Sequence, residues 1–169
     1  MGLITQITIL LEEVCLGNFY FETAVLLRDT IFINGILTNI EVAYGLTVEN
    51  IKSLEILDRI LLRKILGSHA KSPSCSLHLE LGCLSLKFVI ISRRLNFLHY
   101  ILNRPDGDLL KNFFEVQNKN PVKNDWVLTI KEDIDSLKIN LNLEQIKELS
   151  KDKFSALVKE KARDAARSP

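Results

Sequence analysis

The chain contains 169 residues, 47% of them hydrophobic and 25% charged, and its formal net charge at pH 7 is +1. A chain of this length and composition is expected to bury one sizeable core as a globular protein. Its apolar runs, such as FVII and AVLL, are far shorter than the roughly 18 residues of a membrane span, and its start, MGLITQITILLEE, has no basic leader. We therefore expect a soluble, intracellular protein of the nucleus or cytoplasm with no membrane partner.

The charges are distributed unevenly along the chain. Residues 1–46 carry one basic and five acidic side chains, residues 47–111 carry ten and six, and residues 112–169 carry eleven and ten. The basic middle of the chain favours a polyanionic partner, although many solvated helix faces are equally basic.

The first part of the chain is predicted to be helical. Apolar residues recur at helical spacing over residues 3–15, after which Gly17 can end the helix and Asn18 can cap the next one. Two helices, or one helix kinked near Gly35, are predicted before Gly45.

The clearest helix start is the stretch YGLTVENI. Thr47 can cap its first turn, while Leu46 and Ile51 occupy the two positions of a hydrophobic staple. The helix is predicted to continue to about Leu66 and to end at Gly67.

This helix has one apolar face and one basic face. At 100° per residue, Lys52, Arg59 and Arg63 lie within about 40° of one another. Its apolar seam consists of Ile51, Leu54, Leu57, Leu61 and Ile65.

The stretch LELGCLSLKFVIISRRLNFLHYIL, residues 79–102, is predicted to contain the central buried helix, because apolar residues occupy most of its circumference. Phe88 and Leu95 belong to the predicted core. The basic exceptions are Lys87 and the adjacent pair Arg93 and Arg94.

Further amphipathic helices are predicted over residues 108–118 and 127–137, on either side of a break at Pro121. The last third reads as lysine-rich helices capped by Asn142 and Ser150. Because it has few large apolar residues, the region after residue 137 is predicted to be peripheral. The predicted fold class is all-α, an irregular bundle of about seven to nine helices without a sheet of three or more strands.

The sequence shows no residue set for catalysis, metal binding or a cofactor. Cys15, Cys75 and Cys83 lack a Cys/His ligand spacing and are predicted to be buried free thiols, and the three histidines are scattered. No adjacent Asp-Asp pair, glycine-rich phosphate loop or G-x-S-x-G elbow is present. We therefore expect no catalytic residues, no metal and no cofactor.

Two interpretations of the basic residues are open. They can converge into a groove that follows a phosphate backbone. Alternatively, Arg93 and Arg94 support the fold, with their stems over apolar surface or their heads bonded to carbonyls or to acids such as Glu80 or Asp106. Trp126 can likewise stack on a base or anchor a helix to the core, and we favour the anchor. The candidate nucleic-acid-binding residues are Lys52, Arg59, Arg63, Lys87, Arg93 and Arg94.

Three ordered blocks carry a resemblance to one family: YGLTVENIKSLEILDRILLRKILG, LHLELGCLSLKFVIISRRLNFLHYILNR and NPVKNDWVLTIKEDI. They resemble the region that follows the catalytic palm in non-LTR (LINE-like) retrotransposon reverse transcriptases, namely the thumb and the helical linker beyond it. The resemblance covers about residues 17–166. It implies a thumb-like helical core over residues 1–120 and a loosely packed, linker-like extension over residues 121–169.

In that family the thumb contacts the backbone of the template-primer duplex, so the resemblance implies the same for the basic helix over residues 47–66. The palm with its paired aspartates would precede Met1, and Ala43 stands where the family often has tryptophan. We therefore expect a fragment without catalysis that binds an RNA/DNA duplex or hybrid weakly and without sequence preference.

The alternative is a helical protein–protein interaction or structural module that binds no nucleic acid. In this interpretation, residues 1–46 would dock a missing palm domain, another partner or a second copy of the chain.

Overall fold

The computed structural model describes residues 21–42, 48–68, 71, 73–123 and 125–167. These residues form eight helices and no strand, which confirms the predicted all-α fold and the predicted number of helices. The helices are α1 (residues 21–36), α2 (Val48–Leu66), α3 (Ser74–Leu81), α4 (Leu86–Leu102), α5 (Leu109–Lys119), α6 (Trp126–Ser136), α7 (Leu143–Glu148) and α8 (Lys151–Arg167).

Helix α1 is irregular in its middle. It consists of an α-helical segment Phe21–Leu27, a π-helical turn Arg28–Phe32 and a short α-helical end Ile33–Ile36. The irregularity therefore precedes Gly35, where the sequence predicted a kink. Wider turns of this kind are rare and occur mostly as single-turn bulges inside α-helices.

Local capping explains several of the helix ends. The Asp108 carboxylate accepts a hydrogen bond from the Leu110 amide (3.0 Å) at the start of α5. Asn142 and Gln145 form a reciprocal capping box at the start of α7. Gly67, with a positive φ of 60°, follows the last turn of α2 as predicted. The predicted helix over residues 3–15 and the predicted caps before residue 48 lie outside the described residues.

The chain divides into two compact units. The first combines residues up to Thr38 with Lys52–Cys83, and the second combines Asn39–Ile51 with the residues from Leu84 onwards. The core of the first unit contains Leu62, Leu77 and Leu81. The boundary that the sequence predicted between residues 120 and 121 lies inside the second unit.

The second unit is built around α4, whose Leu95 and Leu98 are completely buried. Helix α8 packs along α4 and contributes Phe154, Val158 and Ala162, each with no exposed surface, to the same core. The prediction of a loosely packed, peripheral C-terminal region is therefore wrong. Three apolar residues at successive four-residue intervals are enough for a buried stripe, even though the helix as a whole is rich in charge.

Two of the predicted core positions differ in burial. Leu95 is fully buried as predicted, whereas Phe88 is only partly buried and packs against the edge of the core. Trp126 is 8% exposed, which confirms its prediction as an anchor of α6.

Candidate binding surfaces

The six basic residues singled out by the sequence differ in accessibility. Lys52 and Lys87 are exposed, while three arginines are partly buried and Arg94 is buried. Those on α2 belong to the first unit and those on α4 to the second. Their convergence into one groove stays a prediction. The partly buried members are Arg59, Arg63 and Arg93.

Arg59 fastens two helices of the first unit to each other. Its Nε donates to the Glu55 carbonyl (3.2 Å) on its own helix, and its Nη1 donates to the Ser74 hydroxyl (3.1 Å) at the start of α3. Part of its hydrogen-bonding capacity is therefore used inside the fold.

Arg94 is committed to a buried ion pair. Its Nη2 donates to Asp133 Oδ1 (2.9 Å), and its Nε lies 2.7 Å from Asp133 Oδ2, so the guanidinium faces the carboxylate with two nitrogens. Burial raises the pKa of Asp133 to about 6, and the charge of Arg94 opposes that rise. The pair ties α4 to α6. This geometry supports the alternative in which Arg94 serves the fold, with Asp133 rather than Glu80 or Asp106 as its partner.

The first unit contains a second buried ion pair, which sequence analysis missed. Arg28, only 2% exposed, donates from Nε and Nη2 to the two carboxylate oxygens of Asp58, each at 2.7 Å. Its Nη1 donates to Asp29 (2.7 Å). Burial tends to lower the pKa of Arg28, but the hydrogen bond and charge of Asp58 outweigh it and the pKa is raised. Arg28 is the first residue of the π-helical turn.

His78 and Cys83 lie beside this pair. Together with Asp58, they supply the residue types of a Cys-His-Asp catalytic set. His78 Nδ1 donates to the Ser74 carbonyl (2.7 Å), and its Nε2 lies 3.4 Å from Asp58 Oδ2. Both ring nitrogens are thus directed at oxygens rather than at the thiol. Burial raises the pKa of Cys83 to about 11, so the thiol stays protonated near neutral pH. The cluster therefore has the chemistry of a structural site and lacks an activated nucleophile.

The second unit carries an open apolar groove of about 680 Å³. Its floor is aromatic, because Trp126 makes edge-to-face contacts with Phe97 (centroids 5.8 Å apart) and with Phe114 (6.2 Å). The indole Nε1 donates to the Glu41 carbonyl (2.8 Å), which fixes the ring in place. The floor of the groove is therefore preformed.

The walls of the groove expose large apolar side chains. On α5, Phe113 is 61% and Val116 is 62% exposed, and beyond the helix Val122 is 68% exposed. The polar groups at the rim come from Gln117, Asn120, Lys123 and Asp125. The remaining lining residues are Val42, Ile101 and Leu110.

Helix α5 shows why the sequence did not predict this groove. Its Leu109, Leu110, Phe113 and Val116 follow helical spacing, which is the pattern of a core-facing stripe. In the structure, the helix buries Phe114 and Lys111 instead, and its apolar stripe faces solvent. The sequence did contain a signal, because the apolar and polar residues of α5 lie on clearly separate faces. That pattern alone does not say which face the rest of the protein covers.

Comparisons of the chain with protein-family models, curated proteins and solved structures gave no match. In the part of the chain that the structure describes, no three His, Cys, Asp or Glu side chains are grouped to hold a metal ion. Among those same residues, no helix is long and apolar enough to cross a membrane.

Proposed function

We propose that this chain is a non-catalytic helical module that binds a helical face of another protein through the groove beside α5. The observation that carries the proposal is the exposed apolar stripe on α5 next to a rigid aromatic floor. Monomeric soluble proteins rarely expose a large contiguous apolar patch unless it binds something. Aromatic side chains are also enriched at the centres of protein interfaces.

The shape of the groove suits a helix better than a small apolar molecule. From Leu109 to Val116 the stripe covers seven residue steps, or roughly 10 Å along the axis of α5. Leu109 is 82% exposed and lies outside the groove lining, so a molecule confined to the groove would leave it uncovered. An amphipathic helix laid along α5 would cover the entire stripe, as in other helix-in-groove complexes.

Trp126 provides the test, because it is the sole tryptophan and lines the groove. A tryptophan-free amphipathic peptide of Leu, Lys and Glu, about four turns long, is titrated while the emission of Trp126 is recorded. We expect a saturable change that is lost in Phe113→Glu. Leu26→Glu is the matched control, since Leu26 is also 61% exposed but belongs to the first unit. An unchanged emission, or an equal loss in both variants, contradicts the proposal.

A second candidate function is weak binding to the backbone of a nucleic-acid duplex. It is favoured by Lys52 and Lys87, which are exposed and, within the described residues, have no carboxylate within ion-pair distance. The resemblance to the thumb of non-LTR reverse transcriptases supports the same activity and the proposed origin of the chain as a fragment of such an enzyme. Arg94 is omitted from these candidate binding residues because Asp133 occupies its guanidinium.

A further inference from the structure

We propose that the occupant of the groove is a second copy of this chain, with the two α5 helices packed antiparallel about a two-fold axis. This inference rests on the proposed function and names its partner. Most soluble oligomers are homo-oligomers, and two-fold dimers are the commonest of them. Three features of the groove and its rim favour a second copy over a foreign partner.

The first feature is the size of the exposed patch. Six large apolar residues on and around α5 are 43–82% exposed, which leaves roughly 500 Å² of apolar surface in contact with water, near the upper limit for monomers. A stable complex buries roughly 800 Å² on each partner, so the patch with its polar rim approaches that size. In a two-fold dimer the same association covers both patches at once. The six residues are Val42, Leu109, Leu110, Phe113, Val116 and Val122.

The second feature is the self-complementary order of side chains along α5. If the axis passes midway between Phe113 and Val116, each Phe113 meets Val116 of the second copy, and each Val116 meets the other Phe113. In the same register, Leu109 lies level with Asn120 of the second copy, and no two charged side chains of α5 stand level with each other. Large and small apolar groups thus alternate across the axis without bringing two lysines together.

The third feature is the balance of charge around the patch. At the start of α5, Arg104 pairs with Asp108 (2.8 Å), and Lys111 pairs with Asp106. The pKa of Asp108 is accordingly lowered by its hydrogen bond from Arg104. Because these charges are neutralised within one chain, two copies can approach without strong repulsion. A partner with a strong net charge would gain little at such a rim.

Sedimentation equilibrium of the full chain between about 1 and 100 µM tests the dimer, since interfaces of this size reach at least micromolar affinity. We expect a monomer–dimer equilibrium. Phe113→Lys and Val116→Asp should each weaken it about tenfold or more. The double variant should recover most of the affinity, because each introduced lysine then faces an introduced aspartate of the second copy. Leu26→Lys should have no effect.

Four results are possible, and each is informative. Loss of the dimer in both single variants with recovery in the double variant supports the antiparallel arrangement. Loss without recovery, or a dimer that is insensitive to both variants, contradicts it. A monomer throughout the range overturns self-association. In that case the Trp126 titration with the amphipathic peptide still decides separately whether the groove binds a helix. Circular dichroism of each variant checks that its helical content is retained.

Discussion

At the scale of single residues, the second unit buries a charge that cannot be neutralised by a change of protonation. A guanidinium is always protonated in proteins, whereas a buried carboxylate can be neutralised by taking up a proton. Arg94 is 5% exposed and Asp133 6% exposed, so each depends on the other for compensation. The two members of the pair should therefore respond differently to mutation.

Asp133→Leu is expected to destabilise the protein by about 3–5 kcal/mol, because it leaves the Arg94 guanidinium buried without a counter-charge. Adding Arg94→Met should restore wild-type stability or exceed it, since a well-packed apolar pair avoids the desolvation of two ions. Urea denaturation at pH 7 measures both effects. Lys131→Met, at an exposed position of α6, is the control and should change stability by less than about 0.5 kcal/mol. A double variant as unstable as Asp133→Leu would contradict this account of the pair.

The same pair predicts a pH dependence. The folded-state pKa of Asp133 is about 6, above its ordinary value of 3.8. The folded state therefore binds this proton more tightly than the unfolded state does. The contribution of Asp133 to the free energy of unfolding is greatest below pH 4 and is lost as the pH rises through 6. The stability of the Arg94→Met, Asp133→Leu double variant relative to wild type should accordingly increase between pH 4 and pH 7, by up to about 3 kcal/mol.

The lowered pKa of Asp58 acts in the opposite sense, because stability from that group is lost as the pH falls. Asp58 is present in both proteins, so its contribution cancels in the comparison. Urea denaturation at pH 4, 5, 6 and 7 measures the difference in the free energy of unfolding between the double variant and wild type. A constant difference across this range would show that burial does not raise the Asp133 pKa in solution.

At the scale of helices, α8 is part of the core. Phe154 stacks on His99 of α4 (centroids 5.2 Å apart), and His99 Nε2 also donates to the Leu149 carbonyl (2.8 Å). Phe154→Ala should therefore destabilise the chain by about 3–5 kcal/mol, as measured by urea denaturation. Lys153→Ala, next to it on the exposed side, should be nearly neutral. Equal small effects of both variants would restore the sequence-based prediction of a peripheral helix.

Features that depend on neighbouring residues were predictable from the sequence. Asn142 and Gly67 act within one helical turn, so their roles in beginning and ending helices follow from local chemistry. Pairings between distant residues were not predictable in this way. Arg94 and Asp133 are 39 positions apart, and several acids were equally plausible partners before the packing of α4 against α6 was known.

The groove was partly predictable from the sequence, and so lies between these two cases. The apolar stripe of α5 was visible in the sequence, yet its exposure results from the choice of Phe114 as the residue that enters the core. Similarly, α8 was predicted to be peripheral from its composition, whereas the spacing of Phe154 and Val158 decides its burial. The sequence predicted both helices, α5 from its periodicity and α8 from its cap, but the choice of covered face needed the tertiary fold.

At the scale of the whole molecule, a net charge of +1 allows only modest attraction to a polyanion. We expect binding to an RNA/DNA hybrid, if the thumb resemblance carries function, to be micromolar or weaker and indifferent to sequence. With two or three phosphates contacted, log affinity should fall against log salt with a slope of about −2 to −3. Fluorescence anisotropy of a labelled hybrid at several salt concentrations measures this slope.

Charge-reversal variants can distinguish binding through particular residues from attraction to the net charge of the chain. Lys52→Glu with Lys87→Glu changes the net charge by four and alters only exposed positions, so the fold should survive while binding is lost. Arg59 is unsuitable for this purpose because its bond to Ser74 supports the fold. Lys138→Glu with Lys151→Glu is the matched control, since it makes the same charge change at other exposed positions. An equal loss in both double variants would show attraction to overall charge without a defined surface. No binding by wild type at low salt would leave the groove beside α5 as the functional surface.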